Sequence, residues 1–303
     1  MLDFYERCQF DAGVSLDHVI LDFDRNMAAD DVPTAWIERQ QFTLVSAGSF
    51  LEEVERRNSL LIPYGAAQGW SPESYATSVS ALQDMGYRHI AIGGLVPVRT
   101  PDILATLTAI SEVLAPQTSL HLLGITRVDA MEQFESLGVD SFDSTSPFRQ
   151  SFMDDRNNYH TLDGNYVAIR VPQSDGNPAL KRRILSGAVS MRSAIACERE
   201  VLQLLAQYDL GNVDIDRVVN ALAEYEDIVR PRRSYIADYK RTLADMPWKY
   251  CECDVCTDGG IQIAIFRGTE RNKRRGFHNI FVFEKRIRSL RSATLEVERH
   301  SCG

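Results

Sequence analysis

A tight cluster of cysteines near the C-terminus is the feature that most restricts how this chain can fold. Cys251, Cys253 and Cys256 follow the spacing C-x-C-x-x-C, and His278 comes later in the chain. Three thiolates and one imidazole form a closed tetrahedral zinc site with no position left for water. The alternative is a reduced cysteine cluster with an unrelated histidine, but such close spacing is typical of metal ligands. We therefore predict a structural Zn²⁺ that ties one turn to a second element.

The composition places the chain among globular proteins without a membrane anchor. It has 303 residues, of which 44% are hydrophobic, enough for one large domain or two moderate ones. Its apolar runs are too short to span a bilayer, and the first residues lack the apolar core of a signal peptide. Clustered cysteines fit a reducing compartment, so we expect a cytoplasmic protein with no membrane partner. No role is predicted for Cys8, Cys197 or Cys302.

Charge is distributed unevenly along the chain. The net charge is −9, which argues against a protein that binds nucleic acid over its whole surface. Between Arg267 and Arg291, however, nine Lys and Arg residues face only Glu270 and Glu284. Such a stripe can follow a phosphate backbone, because screening makes local charge more important than the total. A solvated helix face remains the alternative.

The first half of the chain alternates short apolar runs with helical patterns. Ser71-Pro72 and Thr100-Pro101 are typical helix starts, and Gly86 and Gly138 are typical helix ends. Strands are predicted over residues 18–23, 60–67, 88–92, 119–123 and 139–143. This alternation predicts a parallel sheet flanked by helices, with ligands at the carboxyl ends of the strands. Both a (β/α)₈ barrel and a doubly wound open sheet fit the pattern.

The pattern changes after residue 177. Helices are predicted over 180–205 and 213–229, and Arg230-Pro231-Arg232-Arg233 marks a break. A strand over 261–266 and a last helix over 278–290 follow. We therefore expect a (β/α) part that carries the active site, a helical insertion, and a zinc-binding subdomain with the last barrel strand and helix. Their predicted ranges are 1–176, 177–246 and 247–299.

Several short phrases occur in a specific order. They are Ala67-Gln68-Gly69, Ile90-Ala91-Ile92-Gly93-Gly94-Leu95, His121-Leu122-Leu123-Gly124-Ile125, Gly138-Val139-Asp140-Ser141-Phe142-Asp143, Pro147-Phe148-Arg149, the cysteine cluster and His278-Asn279. In this order they resemble the tRNA-guanine transglycosylase superfamily. The resemblance implies an α/β fold of the TIM-type (β/α)₈ barrel class, here lacking its first strands, with a helical insertion and a C-terminal zinc subdomain.

Within that superfamily the sequences of these motifs resemble those of the DNA-modifying branch. The phrases 67–75, 141–147 and 266–268 are similar to that branch, and Ser144 stands where tRNA enzymes more often have Cys. The resemblance implies a glycosyltransferase that exchanges guanine in DNA for a 7-deazaguanine base through a covalent aspartyl-glycosyl intermediate. Two alternatives stay open. One is a tRNA-guanine transglycosylase, and the other is a non-catalytic relative that binds nucleic acid.

The resemblance also implies roles for individual residues. Asp143 matches the nucleophile, although an aspartate after a strand is by itself more often a helix cap; Asp140 is a weaker alternative. The base-binding residues it implies are Asp24, Gln68, Gly93, Gly94 and Leu123. Arg149 matches an arginine that positions phosphate or sugar. From the basic stripe we add Arg271, Lys273, Arg274 and Arg275 as candidates for nucleic-acid binding.

One motif of the family is absent from this sequence. Family members carry a further acid/base aspartate in an early D-S-G-G-F-type phrase, which this chain lacks. We expect one of three explanations: a misplaced start, a complementing accessory protein, or a degenerate relative. Asp17 and Asp22 are spare carboxylates with no assigned role. A homodimer is a further possible assembly.

Overall fold

The computed structural model describes residues 1–301, and side-chain surroundings for residues 1–289 except Ala29. Cys302 lies outside the described residues. The contacts divide the chain into two compact units, Met1–Ser144 and a second that begins at Thr145. The expected borders at 177 and 247 stay predictions.

The first unit consists of a five-stranded sheet and its helices. Its helices are α1 Leu2–Arg7, α2 Thr34–Arg56, α3 Pro72–Asp84, α4 Thr100–Ser111 and α5 Met131–Ser136, with 3₁₀ turns at Ala29–Asp31 and Val128–Ala130. Its strands are β1 Ala12–Val14, β2 Ile62–Ala67, β3 His89–Ile92, β4 Ser119–Leu122 and β5 Val139–Phe142. The strands are all parallel and lie in the order of the chain. This confirms the predicted parallel α/β sheet, in which each crossover passes over one face.

The two faces of this sheet differ in chemistry. Ile90, Ile92, Leu120 and Leu122 point to one face and pack in a buried core with α3 and α4. The opposite face carries polar rings and hydroxyls, among them His121 next to Ser141. Successive side chains of a strand alternate between faces, so one sequence supplies both a core and a polar surface.

Local signals in the first unit are largely confirmed. The Ser71 hydroxyl caps α3 by accepting from the Ser74 N–H, and Pro72 is the first helical residue. Gly86 and Gly138 follow α3 and α5 with φ of +104° and +92°, a region that favours glycine. Thr100 is an exception: it lies inside α4, and Arg99 caps that helix without a side-chain hydrogen bond.

The predicted strand over 18–23 is wrong. Residues 12–14 form the edge strand instead, and the following segment is held by side chains. The Ile20 N–H donates to Gln68 Oε1 (3.2 Å) and the His18 N–H donates to Thr43 Oγ1 (2.9 Å). The apolar pattern did not show this, because these acceptors come from distant residues.

The second unit is mainly helical. Its helices are α6 Ser146–Met153, α7 Pro178–Leu185, α8 Met191–Asp209, α9 Ile215–Val229, α10 Ile236–Asp245, α11 Pro247–Tyr250, α12 Asp254–Gly259 and α13 Gly268–Ser301, with a 3₁₀ turn at Gly260–Ala264. Its strands are β6 Tyr159–Thr161, β7 Gly164–Tyr166, β8 Ile169–Arg170 and β9 Ile265–Phe266. β6 and β7 form an antiparallel hairpin, and β8 pairs with β9 in parallel. Among the described helices, none combines the length and the apolar character needed to cross a membrane.

Three sequence predictions for this unit need adjustment. The single helix over 180–205 is two helices, α7 and α8, separated at Gly187 with φ +77°. The strand over 261–266 is reduced to two residues, because a 3₁₀ turn occupies its first part. The last helix starts at Gly268 rather than at residue 278. One buried core joins residues of α8 and α9 to the segment around the cysteines, including Trp248 and Ile263.

Candidate active site and metal centre

Four predicted site residues lie side by side at the carboxyl edge of the sheet. The register places Ala67, Ile92, Leu122 and Phe142 level with one another, and the residues after them are Gln68, Gly93, Leu123 and Asp143. Backbone hydrogen bonds continue past the strand ends, for example from Leu123 N–H to the carbonyl of Ile92 (3.0 Å). Neighbouring strands are about 4.8 Å apart, so these residues span roughly 14 Å of one edge.

The Asp143 carboxylate is held in place and still open to solvent. Its Oδ1 accepts from the Gly124 N–H at 2.9 Å and lies 3.4 Å from His121 Nε2. The side chain is 60% exposed. Gly124 has φ +73°, a conformation that other residues rarely adopt. A carboxylate oriented by a backbone amide yet accessible from outside can act on a bound ligand.

His121 is a site residue that the sequence interpretation missed. Its Nδ1 lies 2.9 Å from Ser141 Oγ while its Nε2 lies near Asp143, so two contacts orient the ring. The two-residue period of a strand was the available signal. It places the side chain of His121 on the same face as Leu123, and that of Ser141 on the same face as Asp143.

Gln68 is fully engaged by its own protein. It is 1% exposed, its Oε1 accepts from the Ile20 N–H, and its Nε2 donates to Asp17 Oδ2 at 2.6 Å. These two bonds fix the orientation of the Gln68 amide, because the Ile20 N–H needs an acceptor and the Asp17 carboxylate needs a donor. Asp17 is half-buried and therefore brings a second carboxylate to this edge of the sheet.

The two glycines after β3 allow close approach of the backbone. A Cβ at Gly93 would lie 2.2 Å from Gln68 Nε2, and one at Gly94 would lie 2.6 Å from the Ile20 carbonyl oxygen. Gly94 also has φ +80°. The Tyr75 hydroxyl donates to the Gly93 carbonyl (2.8 Å), and burial raises the pKa of Tyr75, so this donor stays neutral. Any side chain here would displace the Gln68 amide.

Asp24 and Leu123 are placed less tightly. Asp24 is exposed; its N–H donates to the Trp70 carbonyl and its Oδ1 accepts from the Asn26 N–H, as in an Asx turn. Among its described hydrogen bonds, none involves Gln68, Gly93 or Asp143. Leu123 is half-buried directly after β4.

The cysteines and the histidine converge as predicted. The ligand atoms of Cys251, Cys253, Cys256 and His278 all lie within 4.8 Å of one another. His278 Nδ1 is 3.5, 3.5 and 3.3 Å from the three sulfurs in chain order. A tetrahedral Zn²⁺ with usual bond lengths requires about 3.5 Å between a sulfur and a nitrogen ligand. The donor set and the spacing therefore fit zinc.

Neighbouring groups orient the histidine for metal binding. Its Nε2–H donates to the carbonyl of His160 at 2.8 Å, which leaves the Nδ1 lone pair facing the sulfurs. The Tyr159 ring stacks on the imidazole, and its hydroxyl lies 3.2 Å from Cys256 Sγ. Burial raises the pKa of Tyr159, so the hydroxyl can donate to a thiolate. Asn279 fastens the same helix to β6 by accepting from the His160 N–H.

The predicted nucleic-acid-binding cations differ in accessibility. Lys273 and Arg274 are exposed on α13, and Arg149 is exposed on α6, where its guanidinium contacts the sulfur of Met153. Arg271 is half-buried and donates two hydrogen bonds to Gln262 Oε1.

Arg275 cannot contact a phosphate from its position in this structure, so that prediction is corrected. Its side chain is 0% exposed. The guanidinium donates to Asn272 Oδ1 and to the backbone carbonyls of Ser151, Asn158, Ile263 and Ile265. Helical periodicity explains the outcome, because Arg275 lies three residues before His278 and shares its buried face. Arg275 is a structural crosslink.

Comparison with known proteins identifies the class to which this arrangement belongs. Residues 16–170 match the family described as Queuine tRNA-ribosyltransferase. The chain is also 43% identical over 301 residues to a DNA-guanine transglycosylase from Salmonella montevideo, covering 96% of this chain and 72% of the relative. The family match and this relative define the class of the chain as a guanine transglycosylase, which is a pentosyltransferase.

The chain belongs to the tRNA-guanine transglycosylase superfamily, in its DNA-modifying branch. The family resemblance expected from the ordered phrases is thereby confirmed. It implies a fold related to the TIM barrel, of which the structure contains a five-stranded parallel sheet.

Proposed function

We propose that this enzyme exchanges guanine in DNA for a 7-deazaguanine base. The observation that carries this proposal is the Asp143 carboxylate at the end of β5, in a chain 43% identical to a DNA-guanine transglycosylase. The order of the strands supports the wider architecture that we propose, a TIM-type (β/α)₈ barrel with borders near 177 and 247. The thiol cluster supports a reducing compartment, and hence the cytoplasm, as the place of action.

The proposed reaction proceeds by double displacement at the sugar. The Asp143 carboxylate attacks C1′ of the deoxyribose, the C1′–N9 bond breaks, and guanine leaves with its electron pair and takes up a proton. The ring nitrogen of the incoming 7-deazaguanine then attacks C1′, gives up its proton and releases Asp143. Two inversions retain the configuration at C1′, as in retaining glycosidases. Protons balance over the cycle.

The base would lie along the edge formed by the neighbouring strand ends. We propose that Gly94 and Leu123 contact it, with Asp24 accepting from its Watson–Crick edge. Gln68 and Gly93, which are buried and bonded within the protein, would support these contacts without touching the base. Gly94 supports this role because it is half-buried at this edge and carries no Cβ. Since C1′ and the base edge are hidden in a stacked duplex, the target nucleotide has to be flipped or unpaired. Arg149, Arg271, Lys273 and Arg274 are the proposed phosphate contacts, and Zn²⁺ on the Cys₃His cluster is structural.

Base exchange with two nucleic acids tests the proposed function. The purified protein is incubated with radiolabelled guanine or a labelled 7-deazaguanine and either duplex DNA or tRNA. We expect label in DNA and none in tRNA. Label in tRNA alone would support the tRNA enzyme instead. Binding of DNA without any incorporation would support the non-catalytic relative. The missing catalytic group would then have to come from an accessory protein or from a second copy of the chain.

Asp17 provides a test of the base-binding residues. Asp17→Ala removes the acceptor of the buried Gln68 amide, and an unpaired buried donor costs about 1–3 kcal/mol. We expect the KM for the free base to rise about tenfold, since roughly 1.4 kcal/mol corresponds to that factor. Asp17→Asn still offers an oxygen and should restore most of the affinity. An unchanged KM in Asp17→Ala, measured by exchange kinetics, would show that the orientation of Gln68 is irrelevant to base binding.

A further inference from the structure

An arginine-rich loop in the helical part of the second unit takes no part in the proposed reaction at Asp143. α9 ends at Val229, Arg230 adopts a left-handed conformation with φ +49°, and α10 begins at Ile236. The Arg230 N–H donates to the Glu226 carbonyl, which closes the helix end. Pro231 restricts the next step of the backbone. The chain therefore makes a defined turn that presents Arg230, Arg232 and Arg233, all exposed.

This turn borders a cavity of about 330 Å³. Its apolar wall includes Leu222, Val229, Tyr235 and Tyr239. Its charged lining consists of four arginines and two carboxylates, namely Arg170, Arg230, Arg232, Arg233, Asp155 and Glu226. The cavity thus combines aromatic surface with an excess of positive charge.

The positive charge of the turn is not neutralised locally. Arg170 is paired with Asp155 at 2.6 Å, which leaves Glu226 as the one remaining carboxylate of the lining. Among the described side chains, none of the carboxylates lies within 4.0 Å of the guanidinium groups of Arg230, Arg232 or Arg233. Instead, the Arg233 guanidinium lies 5.5 Å from the centre of the Tyr235 ring.

These features match the chemistry of a nucleic-acid strand. Arginine binds phosphate with two parallel hydrogen bonds, and an aromatic ring offers a stacking surface for any base. An acidic peptide would satisfy the charge, but it would not use the ring or the cavity beside it. In a chain of net charge −9, three adjacent unpaired arginines indicate an anionic ligand.

We propose that the Arg230–Arg233 turn and Tyr235 form a second contact with the DNA substrate, in which Arg232 and Arg233 bind backbone phosphates. The choice of DNA as the ligand rests on the proposed function. The contact itself is independent of sequence and of the chemistry at Asp143. Its effect therefore appears in affinity and salt dependence and not in the rate at saturating DNA.

The test compares the salt dependence of DNA binding in two doubly substituted variants. Arg232→Gln/Arg233→Gln leaves the left-handed Arg230 untouched. Arg7→Gln/Arg88→Gln removes the same charge from two exposed residues of the first unit. Binding of a fluorescein-labelled DNA duplex is followed by anisotropy at several salt concentrations. For two lost phosphate contacts we expect the slope of log K against log[salt] to decrease in magnitude by about 1.8 in the first variant only.

Two outcomes overturn the proposal: an unchanged slope in Arg232→Gln/Arg233→Gln, or an equal decrease in both variants. Tyr235→Ala offers a second measurement, in which we expect binding of single-stranded DNA to weaken by about tenfold or more with little change of slope. A Tyr235→Ala protein that binds like wild type excludes stacking. Thermal melting of each variant establishes that it is folded.

Guanine exchange in the same preparations separates this inference from the proposed function. If wild-type protein incorporates guanine into DNA and the arginine variant binds with an unchanged slope, the second contact is wrong and the function stands. If the slope decreases but no base is exchanged by wild type, the contact stands and the function is wrong.

Lys273→Gln/Arg274→Gln in the same titration measures the contribution of α13 to DNA binding.

Discussion

Asp143→Asn should abolish base exchange while leaving the protein folded. An asparagine oxygen can still accept from the Gly124 N–H, so the local structure is retained. An amide cannot form the glycosyl ester, however, and loss of a nucleophile that reacts directly costs about 10⁴-fold or more in kcat. The measurement is incorporation of labelled guanine into DNA, together with denaturing gels of the quenched reaction. Wild type should show a DNA adduct of the protein, and the variant should show none.

Asp140→Asn is the matched control for this experiment. Asp140 belongs to the same strand and is exposed, but it lies where the pairing register of β4 and β5 shifts, three residues before Asp143. Its substitution should change exchange less than about twofold, as is usual for surface positions. An adduct that persists in Asp143→Asn and disappears in Asp140→Asn would transfer the role of nucleophile to Asp140.

Loss of the metal should unfold the region around the cysteines. Structural Zn²⁺ binding contributes about 10–16 kcal/mol in small metal-binding peptides, which is comparable with the total stability of a domain at about 5–15 kcal/mol. Without zinc, the buried sulfurs of Cys253 and Cys256 face each other and His278 in the core of the second unit. We expect His278→Ala or a strong chelator to lower the Tm by about 10 °C or more, because each kcal/mol lost shifts the Tm of a domain of this size by about 2–4 °C. Activity should fall in parallel.

Metal analysis and hydrogen exchange locate this effect. Wild type should contain one zinc ion per chain, and the lost protection in zinc-free protein should include residues 251–278. Cys8→Ser is the control, because Cys8 is exposed and outside the cluster. It should retain zinc and melt like wild type. A zinc-free preparation with an unchanged melting temperature would refute the structural role.

The parts of the fold that the sequence predicts correctly depend on local interactions. β2 to β5 are apolar runs bounded by turn residues, and Ser71, Gly86 and Gly138 act within a few residues of their own position. The segment 18–23 is different. It has the composition of a strand, but its hydrogen-bonding partners are side chains far away in the chain, so pattern alone placed the edge strand in the wrong segment.

The candidate site shows the same division. The family resemblance singled out Gln68, Gly93, Leu123 and Asp143, and the structure brings them to one edge because each follows the end of a parallel strand in register. The resemblance was not enough for His121 or Asp17, whose importance arises from contacts with Asp143 and Gln68. Position in a basic stripe also misassigned Arg275, because charge counts do not include burial.

What the sequence by itself determined was the Cys₃His set that could hold a metal, four of the five strands of the sheet with the helices between them, and the family. Each of these can be recognised from the spacing of residues along the chain or from short motifs in a fixed order. Only the tertiary structure decided which groups touch: that Nδ1 of His278 faces the sulfurs, that Asp17 holds the Gln68 amide, and that Arg275 is buried. The physical reason is that hydrogen bonds and burial depend on distances between residues far apart in the chain, and spacing along the chain does not contain those distances.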